Sequence, residues 1–218
     1  MLRTDDSGRS WVKLSTGRTA EKYMDVYFTT NDLGFVVGHN SGCIWRTKDA
    51  GETWERHTED VPKEMRSVYF IDSLVGFATG YPTSGGGTIM KTTDGGDSWV
   101  WFQTGLNDDY YDIKFFDEQN GIAVGGDASA RIAYIRRTTD GGKNWSLVHN
   151  KDLDFQSRSI CYKSKNEIEV VGRDAGQEGT KVMQSTNGGY TWSYETVPHA
   201  SIMFSVQQAG AEKLLTFG

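Results

Sequence analysis

The sequence predicts an all-β protein: a five-bladed β-propeller of four-stranded antiparallel blades, closed by N- and C-terminal strands that share one blade. Three observations predict it. A nine-residue turn motif occurs five times, ending at Trp11, Trp54, Trp99, Trp145 and Trp192. These tryptophans stand 43, 45, 46 and 47 residues apart. Between the copies, β-rich runs recur at fixed offsets, and four short strands every ~45 residues make the unit of a propeller blade. No stretch sustains a helical period.

The motif reads Ser/Thr-x-Asp-x-Gly-x-Ser/Thr-Trp, as in Thr47-Lys-Asp-Ala-Gly-Glu-Thr-Trp54, with Asn144 and Asn187 as single departures. Its acid (Asp6, Asp49, Asp94, Asp140, and Asn187 in the last copy) suits acceptance of backbone N–H bonds across a tight turn. The glycine two residues on (Gly8, Gly51, Gly96, Gly142, Gly189) suits a positive φ. The tryptophan then opens the next strand and supplies a large apolar plug. This chemistry is complete within the turn, so these acids read as scaffold and not as catalysts.

Each blade's first strand begins 13 or 14 residues after the tryptophan: Asp25-Val-Tyr-Phe28, Ser67-Val-Tyr-Phe70, Asp112-Ile-Lys-Phe115, Ser159-Ile-Cys-Tyr162 and Ser205-Val-Gln-Gln208. A second strand bounded by glycine follows, as in Gly34-Phe-Val-Val-Gly38 and Gly121-Ile-Ala-Val-Gly125. Small residues there suit the crowded inner part of a radial array. The third strand runs into the motif and the fourth starts at its tryptophan. The chain opens on a third strand and stops on a second one, so the fifth blade is expected to combine residues 201–218 with residues 1–14 in a single domain spanning 1–218. Closure of this kind removes exposed edge strands.

Composition narrows the classes. Hydrophobic residues make up 37% of the 218, with 26 glycines and only 3 prolines, which suits a packed core and not a disordered tail. The net charge of −6 argues against nucleic acid, which demands a phosphate-neutralising surface. The apolar runs are too short to span a bilayer, so no direct membrane insertion is expected. Met1-Leu-Arg-Thr-Asp-Asp6 lacks a signal-peptide pattern. The chain is therefore expected to be soluble, with its compartment left open. Two cysteines, Cys43 and Cys161, are too few for a disulfide framework, and the four histidines have no metal-ligand spacing, so no metal or cofactor is expected.

The five motifs resemble the Asp-box, or BNR, repeat of sialidases, two-domain xyloglucanases and sorting-receptor propellers. The run from Gly34 through Trp54 is more narrowly similar to the photosystem II assembly/stability factor-like branch. That resemblance implies a non-catalytic docking surface. It covers essentially the whole chain, but the matching residues are those that build blades, so it speaks for fold more than for function.

In a propeller, the loops between strands four and one and between strands two and three share one face, and the Asp-box turns take the other. The channel mouth is accordingly expected to carry Tyr23, Arg66, Tyr110, Tyr111 and Arg158 beside the first strands. His39, Tyr81, Asp127, Arg131 and Arg173 join them from the two-to-three loops. Aromatics and arginines are enriched at protein interfaces. The expected partner is thus a protein or a larger assembly, such as a viral particle or membrane complex. The alternative is a carbohydrate-binding propeller, either a lectin or a sialidase-like glycosidase. A glycosidase needs two facing carboxylates, for which Asp108, Asp109 and Asp127 are candidates, and a sialidase also needs an arginine clamp. No Arg-Ile-Pro signature occurs, and the reading favours no enzymatic activity.

Overall fold

The computed structural model describes residues 1–14, 22–39, 44–56, 64–81, 88–103, 109–127, 132–149, 155–174, 179–198, 203–208 and 214–217. An N-terminal hairpin, β1 (Leu2–Arg3) and β2 (Val12–Lys13), comes first. Four complete blades follow. They are β3 (Lys22–Phe28), β4 (Gly34–His39), β5 (Ile44–Thr47) and β6 (Glu55–Arg56); β7 (Glu64–Phe70), β8 (Gly76–Tyr81), β9 (Thr88–Thr92) and β10 (Val100–Gln103); β11 (Tyr110–Phe115), β12 (Gly121–Asp127), β13 (Ile132–Thr138) and β14 (Ser146–His149); and β15 (Phe155–Tyr162), β16 (Ile168–Asp174), β17 (Gly179–Ser185) and β18 (Ser193–Pro198). A C-terminal hairpin, β19 (Ser205–Gln208) and β20 (Leu214–Phe217), ends the chain. Every described strand pair is antiparallel, and the first and second blades are linked through one His39–Glu64 bridge. No helix among the described residues is long and apolar enough to cross a membrane.

Each Asp box folds as the sequence implies. In the second copy Thr47 Oγ1 donates to Asp49 Oδ1 (2.7 Å) and accepts from Gly51 N (2.8 Å), while Asp49 accepts from the Thr53 backbone and hydroxyl. The five motif glycines hold φ between 83° and 87°. Trp54 Nε1 donates to Gly51 O (3.0 Å), tying the ring to its own turn. The tryptophan sits one residue ahead of the fourth strand, which begins at Glu55.

The first residue of the motif staples the blades together. Arg3 Nη1 donates to Ala50 O (3.1 Å), Arg46 Nη1 to Gly96 O (3.5 Å), Lys91 Nζ to Gly141 O (2.5 Å) and Arg137 Nε to Gly188 O (2.8 Å). Each is a third-strand cation reaching a carbonyl of the following blade's box, where an outward-pointing C=O offers a partial negative charge. The N-terminal hairpin therefore stacks on the first complete blade as the outer half of a preceding blade would.

Apolar layers fill the spaces between blades. The first-strand residues Val68, Ile113, Ile160 and Val206 are 1%, 0%, 2% and 6% exposed. Their counterpart at the chain's start, Val26, is 53% exposed, because no second strand precedes it in the described structure. The terminal hairpins form two separate two-stranded sheets, and the shared blade expected from residues 201–218 and 1–14 is not among the described ladders.

Hydrogen bonds from the turn hold Asp6, Asp49, Asp94 and Asp140 down to about 2, against an ordinary 3.8, with the motif's own Ser, Thr or Asn supplying the largest contributions. A depressed folded-state value contributes stability that is complete above the unfolded value and lost as pH falls through the folded one. The fourth complete blade shows that an amide serves the same turn: Asn187 Oδ1 accepts from Thr191 N (3.0 Å) and its Nδ2 donates to Thr191 Oγ1 (2.8 Å). The denaturant midpoint should therefore fall between about pH 4 and pH 2. A triple variant Asp49→Asn, Asp94→Asn, Asp140→Asn should fold and lose most of that acid dependence. An unchanged acid limb in the triple variant would refute the assignment.

Candidate functional site

The site begins with a backbone irregularity repeated in every complete blade. The first strand carries one extra residue against the second strand, between Tyr23 and Asp25, Met65 and Ser67, Tyr110 and Asp112, and Ser157 and Ser159. The extra residues are Met24, Arg66, Tyr111 and Arg158. A bulge re-aims the side chain it inserts, and these four, with Phe204, line one cavity of about 530 Å³. Opposite each bulge stands a glycine: Gly38, Gly80, Gly125 and Gly172. A Cβ there would lie 2.5, 2.1, 1.7 and 1.8 Å from the carbonyl oxygens of Lys22, Glu64, Asp109 and Gln156, respectively. The glycine is required by the close approach of the two backbones.

At the mouth, Tyr111 is held between two guanidinium groups. Arg66 Cζ lies 4.4 Å and Arg158 Cζ 4.1 Å from its ring centroid, within cation–π range. Glu64 Oε2 bridges Arg66 Nη2 (3.4 Å) and His39 Nε2 (2.9 Å), and Arg158 Nη2 donates to Gln156 Oε1 (2.9 Å). Both arginines nevertheless keep a buried Nε–H without a hydrogen-bond partner among the described residues. Burial, and then the nearby Arg66 and Arg173 charges, press the Arg158 value down against the Tyr111 contribution. Buried donors left unmade cost free energy, so such a pair invites an acceptor.

Below the mouth runs a polar girdle. Asp25 Oδ2 accepts from Val68 N (2.9 Å) and Ser67 Oγ (3.1 Å). Asp112 Oδ1 accepts from Ile113 N (2.8 Å) and lies 3.0 Å from Ser67 Oγ, whose single proton it shares with Asp25, and its Oδ2 accepts from Ile160 N (2.9 Å) and Ser159 Oγ (3.3 Å). Each acid thus reaches the first strand of the next blade. Burial, reinforced by Asp112, pushes the Asp25 carboxyl up. At Lys114, burial works against the charge, but Asp112 and Asp25 overcome it and raise the ammonium value.

The structure brings together Arg66, Tyr111 and Arg158, with His39 joined through Glu64 and Arg173 close enough to act on Arg158. Tyr110 and Tyr23 turn away from this group. Tyr110 is completely buried in the core between the second and third blades, because it precedes the bulge and points the opposite way. Tyr23, the matching residue of the first blade, is half-buried against Val36 and Trp45. Tyr81 is exposed at the end of β8. Asp127 pairs with Ile132 through its backbone, and Arg131 and Asp108 lie outside the described residues. Asp25, Asp112 and Lys114 were missed by sequence reasoning. The signal for the two acids was a polar residue at a first-strand position that recurs as Asp, Ser, Asp, Ser and Ser.

Repeated four-stranded blades, five Asp boxes and a first-strand channel define an Asp-box (BNR) repeat protein of the β-propeller class. Comparison with known proteins agrees: residues 3–104 match the family model described as photosynthesis system II assembly factor YCF48, and residues 136–147 match the BNR/Asp-box repeat. The chain is thus similar to the photosystem II assembly-factor branch. No curated protein matches the sequence. Among solved structures, YCF48 from Cyanidioschyzon merolae superposes with a TM-score of 0.66 at 16% identity, over 99% of this chain and 70% of that one. A structure of YCF48 bound to D1 peptide gives 0.50 at 18%, over 94% and 92%. An ancestral GH74 enzyme gives 0.70 at 16%, over 94% of this chain but 30% of its own length. At these identities the likeness is one of fold.

Proposed function

We propose that this chain is a non-catalytic scaffold that binds a segment of another protein at the channel mouth, with Arg66 and Arg158 receiving a carboxylate beside Tyr111. The observation that carries this reading is a pair of guanidinium groups flanking an aromatic ring above a cavity of about 530 Å³, each with a buried Nε–H that has no hydrogen-bond partner among the described residues. Arginine and tyrosine are the residue types that dominate binding energy at protein interfaces. A related fold seen with a peptide, YCF48 bound to D1 peptide, supports a peptide ligand as the general mode. The carbohydrate alternative draws on the likeness to GH74 enzymes. It is less favoured because Asp25 and Asp112, the acids of the described cavity lining, accept N–H bonds from the next blade's first strand, which suits a structural role.

The test is binding to a peptide library presented with free C-terminal carboxylates and again as C-terminal amides. Wild-type protein should select acid-bearing peptides, and the double variant Arg66→Gln, Arg158→Gln should bind them about 10-fold or more weakly, as loss of buried charge pairs does. Equal binding by the double variant would contradict the proposal. So would saturable binding of xyloglucan oligosaccharides in place of peptides.

The same reading takes the propeller as a five-bladed ring, one domain in which residues 201–218 and 1–14 complete a blade. Its support is the complementarity of three surfaces: the edges of β20 and β1, which pair with no further strand among the described residues, and the exposed Val26 and Phe28 face of β3. Replacing Val26 by Asp distinguishes the arrangements. A closed ring buries the new charge and should lose several kcal/mol, of the order of 3. A stability change within about 0.5 kcal/mol, as expected at a surface site, would show that this face stays open.

A further inference from the structure

We propose that a second binding site, for an acidic monosaccharide such as a hexuronate, lies between the third and fourth complete blades on the Asp-box face, away from the channel mouth. The departure of one box from the others carries the inference. At the position after the motif glycine, the other boxes place a charged residue: Arg9, Glu52, Asp97 or Lys143. Asp97 there pairs with the staple Arg46 (2.5 Å), and Glu52 approaches Arg3 (3.8 Å). In the fourth complete blade the residue is Tyr190, whose ring centroid lies 3.9 Å from Arg137 Cζ, and the box acid is Asn187. Two negative charges available elsewhere in the repeat are therefore missing at this interface. The Arg137 guanidinium is met by neutral groups: Gly188 O (2.8 Å), Asn120 Oδ1 (3.1 Å) and the Tyr190 ring.

A pocket of about 210 Å³ opens at this point, lined by residues that include Arg137, Lys165, Tyr190, Phe116, Asn120 and Asn166. Among the described residues its lining holds two cations and no carboxylate, in a chain of net charge −6. The nearby acid, Asp117, acts on Lys165 from outside the lining, with its oxygens taken by the Gln119 and Asn120 backbones and the Asn120 amide. Tyr190 and Phe116 stand 59% and 45% exposed, so each ring keeps accessible surface beside its contact with Arg137 or Tyr162. Aromatic faces receive the C–H face of a pyranose, amides pair with hydroxyls, and the cations attract a carboxylate. The pocket is smaller than the ~300 Å³ at which drug-sized ligand sites begin, which fits one sugar ring and not an extended chain.

Galacturonate, glucuronate, neutral glucose and inorganic phosphate would be titrated against the full chain by calorimetry. We expect saturable binding of a hexuronate, at least 10-fold weaker binding of glucose and phosphate, and at least 10-fold loss in both Tyr190→Ala and Lys165→Ala. Both variants change exposed side chains, and their thermal unfolding would confirm the fold. Arg66→Gln should leave hexuronate binding unchanged, which separates this site from the mouth and from the failure of the peptide reading. Absence of saturable hexuronate binding, wild-type affinity in Tyr190→Ala, or phosphate binding as tight as hexuronate would each overturn the proposal.

Discussion

The functional face depends on a steric constraint between two backbones. In each complete blade the first strand gains one residue, and the carbonyl two residues before it is driven into the space a side chain would occupy on the second strand. Glycine at 38, 80, 125 and 172 makes that approach tolerable. The consequence is directional: the residue before each bulge enters the interblade core, and the bulged residue faces the channel. Tyr110 and Tyr111 are neighbours in sequence yet meet opposite environments, one wholly buried and the other stacked between arginines. A chemically simple rule, glycine opposite a bulge, thus converts a repeat built for packing into a row of aimed side chains.

The Asp boxes solve a different problem. They close each three-to-four hairpin from within, and their leading Arg or Lys reaches the next box, so the same nine residues form a turn and a blade-to-blade clasp. The girdle of Asp25, Asp112 and Ser159 does the corresponding work near the axis, where acids and a hydroxyl satisfy N–H groups of the following blade. Buried polar groups of this kind are costly unless paired. Their pairing across blades makes adjacent blades cooperate, as nearest-neighbour contacts do in repeat proteins.

Much of this architecture was legible in the sequence, because turn chemistry and the tryptophan spacing are local signals. The strand order, the hairpin position of the boxes and the positive φ of their glycines all follow from residues adjacent in the chain. The mouth was only half legible. Strand alternation assigns faces with a period of two, and a bulge reverses that parity at one residue. Arg66, Tyr111 and Arg158 were therefore found together with Tyr23 and Tyr110, which turn inward. The acids of the girdle were hidden because Asp25 and Asp112 looked like ordinary polar strand-starters, and their partners sit more than 40 residues away. The Tyr190 pocket was hidden for the converse reason: the repeat drew attention to what the boxes share, whereas the pocket arises where one differs.

The most direct test of the bulge constraint is the stability and peptide affinity of Gly125→Ala. A methyl group there meets Asp109 O at 1.7 Å and must displace the strand that presents Tyr111. The account predicts a loss of roughly 1–3 kcal/mol in unfolding free energy, as overpacking produces, together with weakened binding at the mouth. Unfolding and binding indistinguishable from the parent protein would contradict it.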